Sequence, residues 1–424
     1  MRLLASLLFL LSACASTPQM PAAALDVAAR DFVRLSLEMG THEEGYIDAY
    51  FGPPDVKAEA EAHPRSVAEL KIEADRIAAA VEAVSPTRLA PIERKRRAHL
   101  LAYVRSARFR LDMIDGVRAP FQDEAEKLFA MRPDLRLLES FDATLARIEA
   151  LVPGPGPLSE RVEAYKARFV IPADRLQAVM AVAIAECRAR TLAHIPLPAN
   201  EAFHMEFVAH QSWSAYNWYQ GNAQSLIQVN TDLPIFIDRA LGLGCHEGYP
   251  GHHVQGIFQE KLYKERGWIE FAVSPLFSPQ GPLNEGGANV GVELAFPGAE
   301  RLAFEAGALY PLAGLDPATA PAYNALRVAL ADLAGARISI AAMYLDGRID
   351  RARALELIQH YQLVSRARAE QSLAFTDHYR SYVINYANGE DLVRAYVARA
   401  GDGGAQWAAY ARMAAEPTLP GDLL

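Results

Sequence analysis

Between His246 and His253 the chain reads HEGYPGHH, which gathers three of its eleven histidines and a glutamate into eight residues. Imidazoles and a carboxylate this close together are what a protein needs to hold a divalent metal and keep a base beside it. In the HExxH zinc motif the two histidines stand one helical turn apart, so both rings reach one ion. Here Pro250 takes the place of the second histidine. His246 and His253 share a face by period. Straight helix would nevertheless part them by about 10 Å at ~1.5 Å per residue, too far for one ion ~2.0–2.1 Å from each nitrogen. Pro250 and Gly251 supply a way round: proline removes a helical donor, glycine tolerates unusual dihedrals, and a two-residue bulge gives His252 the role of second ligand. The residues that follow favour this register, because Val254 is an apolar residue two places past His252, whereas Gln255 stands two places past His253. His252 is the preferred ligand and His253 its neighbour, a candidate hydrogen-bond donor to substrate. The order of the two stays open on sequence alone.

The HEGYPGHH segment resembles the HExxPGHH signature of the bacterial family called domain of unknown function 885, in the zinc metallopeptidase-like clan that contains the HExxH gluzincins. SWSAYNWYQGNAQSLIQVNTDLP, from Ser212 to Pro234, resembles that family too, and NEGGANVGVE, from Asn284 to Glu293, is similar to its downstream EGWA element. The resemblance spans roughly Phe203 to Tyr396. It departs at Gly287, where the family usually carries tryptophan, which puts the shape of the substrate pocket in doubt. What it implies is a mainly α, large helical zinc-metallopeptidase-like fold, one Zn2+ ion, and a third ligand from a glutamate on a second, downstream helix. Glu285 fits that place, with Gly286 and Gly287 beside it to let the two helices approach. Glu293 is the reserve. A zinc held by His246, His252 and Glu285 keeps an open position for water, whose pKa falls toward ~7 there, and leaves Glu247 as general base. A storage or sensing site has no use for a proton acceptor in that position.

Further elements must frame such a site. Gln224 to Thr231 alternates polar with apolar residues and reads as a short strand just before the histidine helix. In gluzincin-like folds an edge strand in this order lies along the cleft and pairs with an extended peptide. Tyr379, Tyr382 and Tyr386 fall at i, i+3 and i+7, so a helix there turns three phenols to one side. Tyr379, Tyr386 and the adjacent His378 are candidate donors to the oxyanion of a tetrahedral intermediate; core packing is the alternative. Trp213, Tyr216, Trp218 and Tyr219 suit a substrate wall, but suit a loop packed on the core better. Cys245, about 100° round the helix from His246, is expected to be buried beside the metal and not to ligate it. Pairing of Cys187 with Cys245 is left open.

The first residues set the expected compartment. A positive start, an apolar stretch from Leu3 to Leu11 and the sequence Leu11-Ser12-Ala13-Cys14 resemble a bacterial lipoprotein signal, with Cys14 lipid-modified and residues 15–24 a tether. Ala15 after the cysteine points to the outer membrane, facing the periplasm. A formal net charge of -9 offers no basic surface for nucleic acid. With 51% hydrophobic residues over 424 positions, the chain can bury a large core.

Apolar spacing of three and four predicts helices over Asp26–Glu38, Ser66–Val84, Ile92–Met113, Leu137–Leu151, Leu158–Arg190 with a break near Pro172, Thr319–Leu345 and Asp350–Leu363. The run from Pro153 to Pro157 divides an N-terminal helical region, 25–152, from a catalytic helical region, 158–424, packed as one body. The expected function is a lipid-anchored zinc hydrolase of the envelope that cleaves peptides. The alternatives are a zinc hydrolase of another amide or ester, and a lipoprotein that binds metal or ligand without catalysis.

Overall fold

A computed structural model describes residues 21–211 and 213–424; the expected signal with Cys14, and Ser212, lie outside them. Mainly helical, the described residues begin with α1 (Pro21–His42), strand β1 (Ile47–Tyr50), α2 (Pro54–Ala62), α3 (Val67–Ala83), α4 (Pro91–Ile114) and α5 (Phe121–Phe129). After α6 (Asp142–Leu151) and α7 (Leu158–Lys166), α8 (Ala173–Leu192) leads into β2 (Ala202–Val208), β3 (Ala215–Gly221) and β4 (Gln224–Asn230). Then α9 (Ile237–Leu243) runs on through a π turn (Gly244–Gly248), and α10 (His252–Arg266), β5 (Val273–Pro275) and α11 (Gly281–Ala295) follow. The rest is α12 (Glu300–Phe304), α13 (Tyr310–Ala313), α14 (Ala320–Ala331), α15 (Ala334–Leu345), α16 (Arg351–Gln362), α17 (Arg366–Tyr379), α18 (Ile384–Ala398) and α19 (Gly403–Ala415).

Local patterning accounts for most of these elements. In α3, Leu70, Ala74, Ile77 and Val81 are buried at spacings of four and three, so one stripe faces inward. Ser66 caps its start, accepting from the Glu69 N–H, while Glu69 accepts from the Ser66 N–H in return. Three large apolar cores result among the described residues, beside two small clusters. One joins Phe32, Leu70 and Leu100 of the N-terminal helices to Phe277, Ile338 and Tyr382, so both halves of the chain build it. The second packs Val179, Ile227, Val229, Leu241, Val254, Val290 and Trp407 around the histidine helix. The third gathers Ile148, Leu326, Ile340 and Leu355. The expected helix over Thr319–Leu345 divides at Asp332 and Leu333 into α14 and α15. That stretch has the length and hydropathy of a membrane span, but Leu326, Leu333 and Ile340 are spent on the third core.

Two small sheets border the histidine helix. β1 pairs antiparallel with β5. In the other sheet β4 is central, parallel to β2 and antiparallel to β3. The strand expected at Gln224–Thr231 is therefore present but is not an edge: both its sides are hydrogen-bonded, and it has no free ladder for a peptide. Its neighbour β3 occupies an edge of that sheet.

Candidate metal centre

The histidine segment is built around a helix break. His246 and Glu247 lie in the π turn that ends α9, Tyr249, Pro250 and Gly251 leave the helix, and His252 starts α10. The break is closed by the Gly251 N–H, which donates to the Cys245 carbonyl at 3.0 Å. A Cβ at position 251 would lie 1.8 Å from the His246 carbonyl oxygen, so only glycine lets the chain fold back this tightly. Three residues leave the helix where two were expected, and the widened π turn absorbs the difference.

The result brings three ligating atoms together. Glu285 Oε2 stands 3.5 Å from His246 Nε2 and 3.9 Å from His252 Nε2, and all three atoms lie within 4.8 Å of one another. Donors at ~2.0–2.1 Å from a tetrahedral zinc are ~3.3–3.4 Å apart, so a small contraction would complete such a shell. Outer contacts orient each donor. His246 Nδ1 faces Asn289 Oδ1 at 2.9 Å, and the Asn289 amide is oriented by donating to Glu390. His252 Nδ1 faces Gln255 Oε1 at 3.0 Å, and the Gln255 amide donates to the Asn284 carbonyl. Amide oxygens only accept, so each Nδ1 donates, and both Nε2 atoms face Glu285. Glu285 Oε1 accepts from the Tyr382 hydroxyl at 3.0 Å.

The closeness of these side chains also shows in their electrostatics. Burial opposes charge on His246, but the bond to Glu285 and the charges of Glu247 and Glu285 hold its pKa above the ordinary value. Burial pulls Glu285 upward, yet the His246 bond and the charge of His252 hold it below. By type and placement, two imidazoles and a carboxylate match the donor set of a catalytic zinc.

The centre opens on a cleft of about 1470 Å³. Glu247 borders it with its side chain in contact with no hydrogen-bond donor among the described residues, while the Asn217 amide holds its backbone carbonyl at 2.6 Å. Asp48 of β1 also lines the cleft and accepts from the Tyr216 hydroxyl. Burial, with Glu285 and Glu247 nearby, pushes its carboxyl up to about 7. β3 forms one wall.

The fold is shared with a solved structure. It is a "putative lipoprotein" from Colwellia psychrerythraea, 14% identical, with a TM-score of 0.53 over 86% of this chain and 65% of that one. The present chain thus spans 65% of that protein's length. No family model and no curated protein matches the chain.

The expected residues divide into those the fold assembles here and those it sends elsewhere. His246, Glu247, His252 and Glu285 meet at the cleft, and Tyr379 and Tyr386 border it. His253 does not. It is fully buried on the opposite side of α10, facing Ser225 Oγ at 2.8 Å and Glu201 Oε2 at 3.3 Å, because the next residue of a helix turns about 100° away. Its role is to pin α10 to β4, not to touch substrate. Glu293 lines the cleft but pairs with Arg394 two turns from Glu285, outside the trio of ligating atoms, and His378 is exposed and away from the cleft. Gly286 meets Gly389 of α18 and not the histidine helix: a Cβ there would lie 2.2 Å from the Gly389 carbonyl carbon. The tyrosines do face one side, but the helix carrying them breaks at Arg380, and Tyr382 serves Glu285. Trp213, Tyr216 and Trp218 are cleft wall, whereas Tyr219 borders the cleft but is buried against Ala223 and Ile257 and donates to Glu260, so core packing describes it. Asn289, one turn past Glu285, was findable by helical period; Asp48, far away in sequence, carried no signal.

Substitution separates the adjacent histidines. His246→Ala and His252→Ala should each lose bound metal by more than the 10–100-fold typical of removing an outer partner. His253→Ala should keep its metal while losing about 1–3 kcal/mol of stability, since Glu201 and Ser225 are left buried without it. Metal analysis after dialysis, with urea unfolding, reads both.

Proposed function

We propose that this chain is a zinc-dependent hydrolase that cleaves peptides in the bacterial envelope. The observation that carries this reading is the convergence of His246 Nε2, His252 Nε2 and Glu285 Oε2 at a cleft that an unpaired Glu247 carboxylate also borders. An ion bound by those three side chains would supply a Lewis acid for the scissile carbonyl and for the attacking water. The protein's own groups do the rest. Glu247 takes the proton from the water and returns it to the leaving amine. Tyr379 and Tyr386 face the same cleft with phenols that burial holds protonated at neutral pH, with Asp48 reinforcing the first and Glu285 the second, so both are able to donate to an oxyanion. Asn289, Gln255 and Tyr382 hold the ligands in their productive orientation.

Peptides are favoured over other amides or esters by β3. It is an edge strand beside the centre, and an extended substrate can add to its free side. The resemblance of HEGYPGHH to the domain of unknown function 885 signature supports the same chemistry. Envelope placement draws on the lipoprotein-like start, on the description of the Colwellia protein, and on the buried Cys187–Cys245 disulfide, a bond that persists in oxidising compartments. Lipid attachment at Cys14 and an outer-membrane position facing the periplasm belong to this proposal.

Purified protein should retain one zinc per chain through gel filtration and should cut a mixed peptide library, read by mass spectrometry, with both lost on chelation. Retention of less than a tenth of an equivalent at neutral pH in zinc-supplemented buffer would exclude the reading.

A further inference from the structure

One end of the cleft is basic in a way the hydrolytic centre does not use. Lys166 at the end of α7, Arg239 on α9, Arg301 on α12 and Arg327 on α14 all line it, and Arg368 lies just behind. Arg301 is matched by Glu305 at 2.8 Å, and Arg368 lies 3.9 Å from Glu163. No salt bridge engages the other three among the described residues. Lys166 stands over the Phe236 ring, 4.6 Å from its centroid. Arg239 reaches only Ser214 Oγ at 3.4 Å, and Arg327 only Asn324 Oδ1 at 2.7 Å, with its buried Nε unpartnered. The third acid facing the group, Asp238, already accepts from the Tyr323 hydroxyl, so cations outnumber carboxylates here. Burial makes the charges on Lys166 and Arg327 costly. Half-buried cations without a carboxylate partner gain from an anion that meets them.

The position of this group relative to the metal ligands is set by two parallel rulers. Arg239 precedes His246 by seven residues on one continuous helical run, about 10 Å at ~1.5 Å per residue. Alongside it, Ser214 contacts Arg239 and Asn217 contacts the Glu247 carbonyl. Three residues of strand also span about 10 Å.

We propose that Lys166, Arg239 and Arg327 form a subsite for a carboxylate of the bound peptide, held about three residues from the bond that is cut. The spacing rests on the hydrolase reading above; the binding itself does not. A carboxylate at this distance comes either from the peptide's C-terminus or from an acidic side chain.

The test uses zinc-loaded Glu247→Gln protein and calorimetry with four N-acetylated alanine-based hexapeptides: C-terminal free acid, C-terminal amide, and amides with one internal Asp or its Asn counterpart. At least one acidic peptide should bind about tenfold or more tighter than its neutral counterpart, the value of a charge-assisted contact. The advantage should shrink in Arg239→Gln, an exposed position that folding tolerates, and in Lys166→Gln. Preference for the free acid assigns the C-terminus, and preference for Asp assigns a side chain. Equal affinity of all four peptides, or an advantage untouched by both substitutions, would overturn the subsite. Cleavage of the same peptides by wild type reports separately: binding preference without any cleavage defeats the hydrolase reading alone, and cleavage without preference defeats the subsite alone.

Discussion

Glu247→Gln is expected to keep its zinc and lose turnover by about 10²–10⁴-fold, the range that general acid–base catalysis supplies. Glutamine has nearly the same shape, so the π turn and the flanking His246 should stand unchanged, yet its amide cannot take a proton. The contrast between metal content and kcat is therefore the informative readout, and a steady-state assay beside metal analysis measures it. A fall in kcat at unchanged KM would show that the carboxylate acts on the reaction and not on binding. One nearby group competes for the role. Asp48 faces the same cleft, with its carboxyl pushed up to about 7 by burial, Glu285 and Glu247. Retained activity in Glu247→Gln that disappears in Asp48→Asn would move the base from the π turn to β1.

Legibility in the sequence followed the distance over which the determining contacts act. The α3 and α4 helices depend on neighbours three or four residues away, which apolar spacing exposes, and the break at Pro153–Pro157 shows in its own prolines. The same holds for the centre: Pro250-Gly251 announces a break, and Val254 places His252 on the inward face. Strand partners are set by chain far away. Nothing within Gln224–Asn230 says that β2 will cover one side and β3 the other, so β4 passed for an edge. Asp48 and Tyr382 arrive from β1 and from the break after α17, roughly two hundred and one hundred residues from Glu285's helix in opposite directions along the chain. Their approach is a property of the core that joins the N-terminal helices to the C-terminal ones. His253 illustrates the limit within a single helix: sequence brought it beside the ligand, and one residue's rotation sent it to Glu201.

Breaking the Cys187–Cys245 disulfide should weaken both the fold and the metal site. The bond ties α8 to the residue immediately before His246 and closes a loop with a sequence separation of 58, for which chain entropy gives about 4 kcal/mol. Cys187→Ala/Cys245→Ala protein should thus unfold at lower urea with a loss of about 2–5 kcal/mol. The effect on metal follows from what Cys245 does besides pairing. Its carbonyl accepts the Gly251 N–H that closes the helix break, and the turn of chain between them is what carries His252 back to His246. Freed from α8, that turn can sample open forms in which the two Nε2 atoms no longer face Glu285, and each open form lowers the fraction competent to bind. Competition with a chelator should show weaker zinc binding by the alanine pair than by the oxidised wild type. Loss of stability with unchanged zinc affinity would instead mean that packing of Leu241, Leu243 and Val254 holds the break closed without the disulfide, leaving the bond a role in the second core alone.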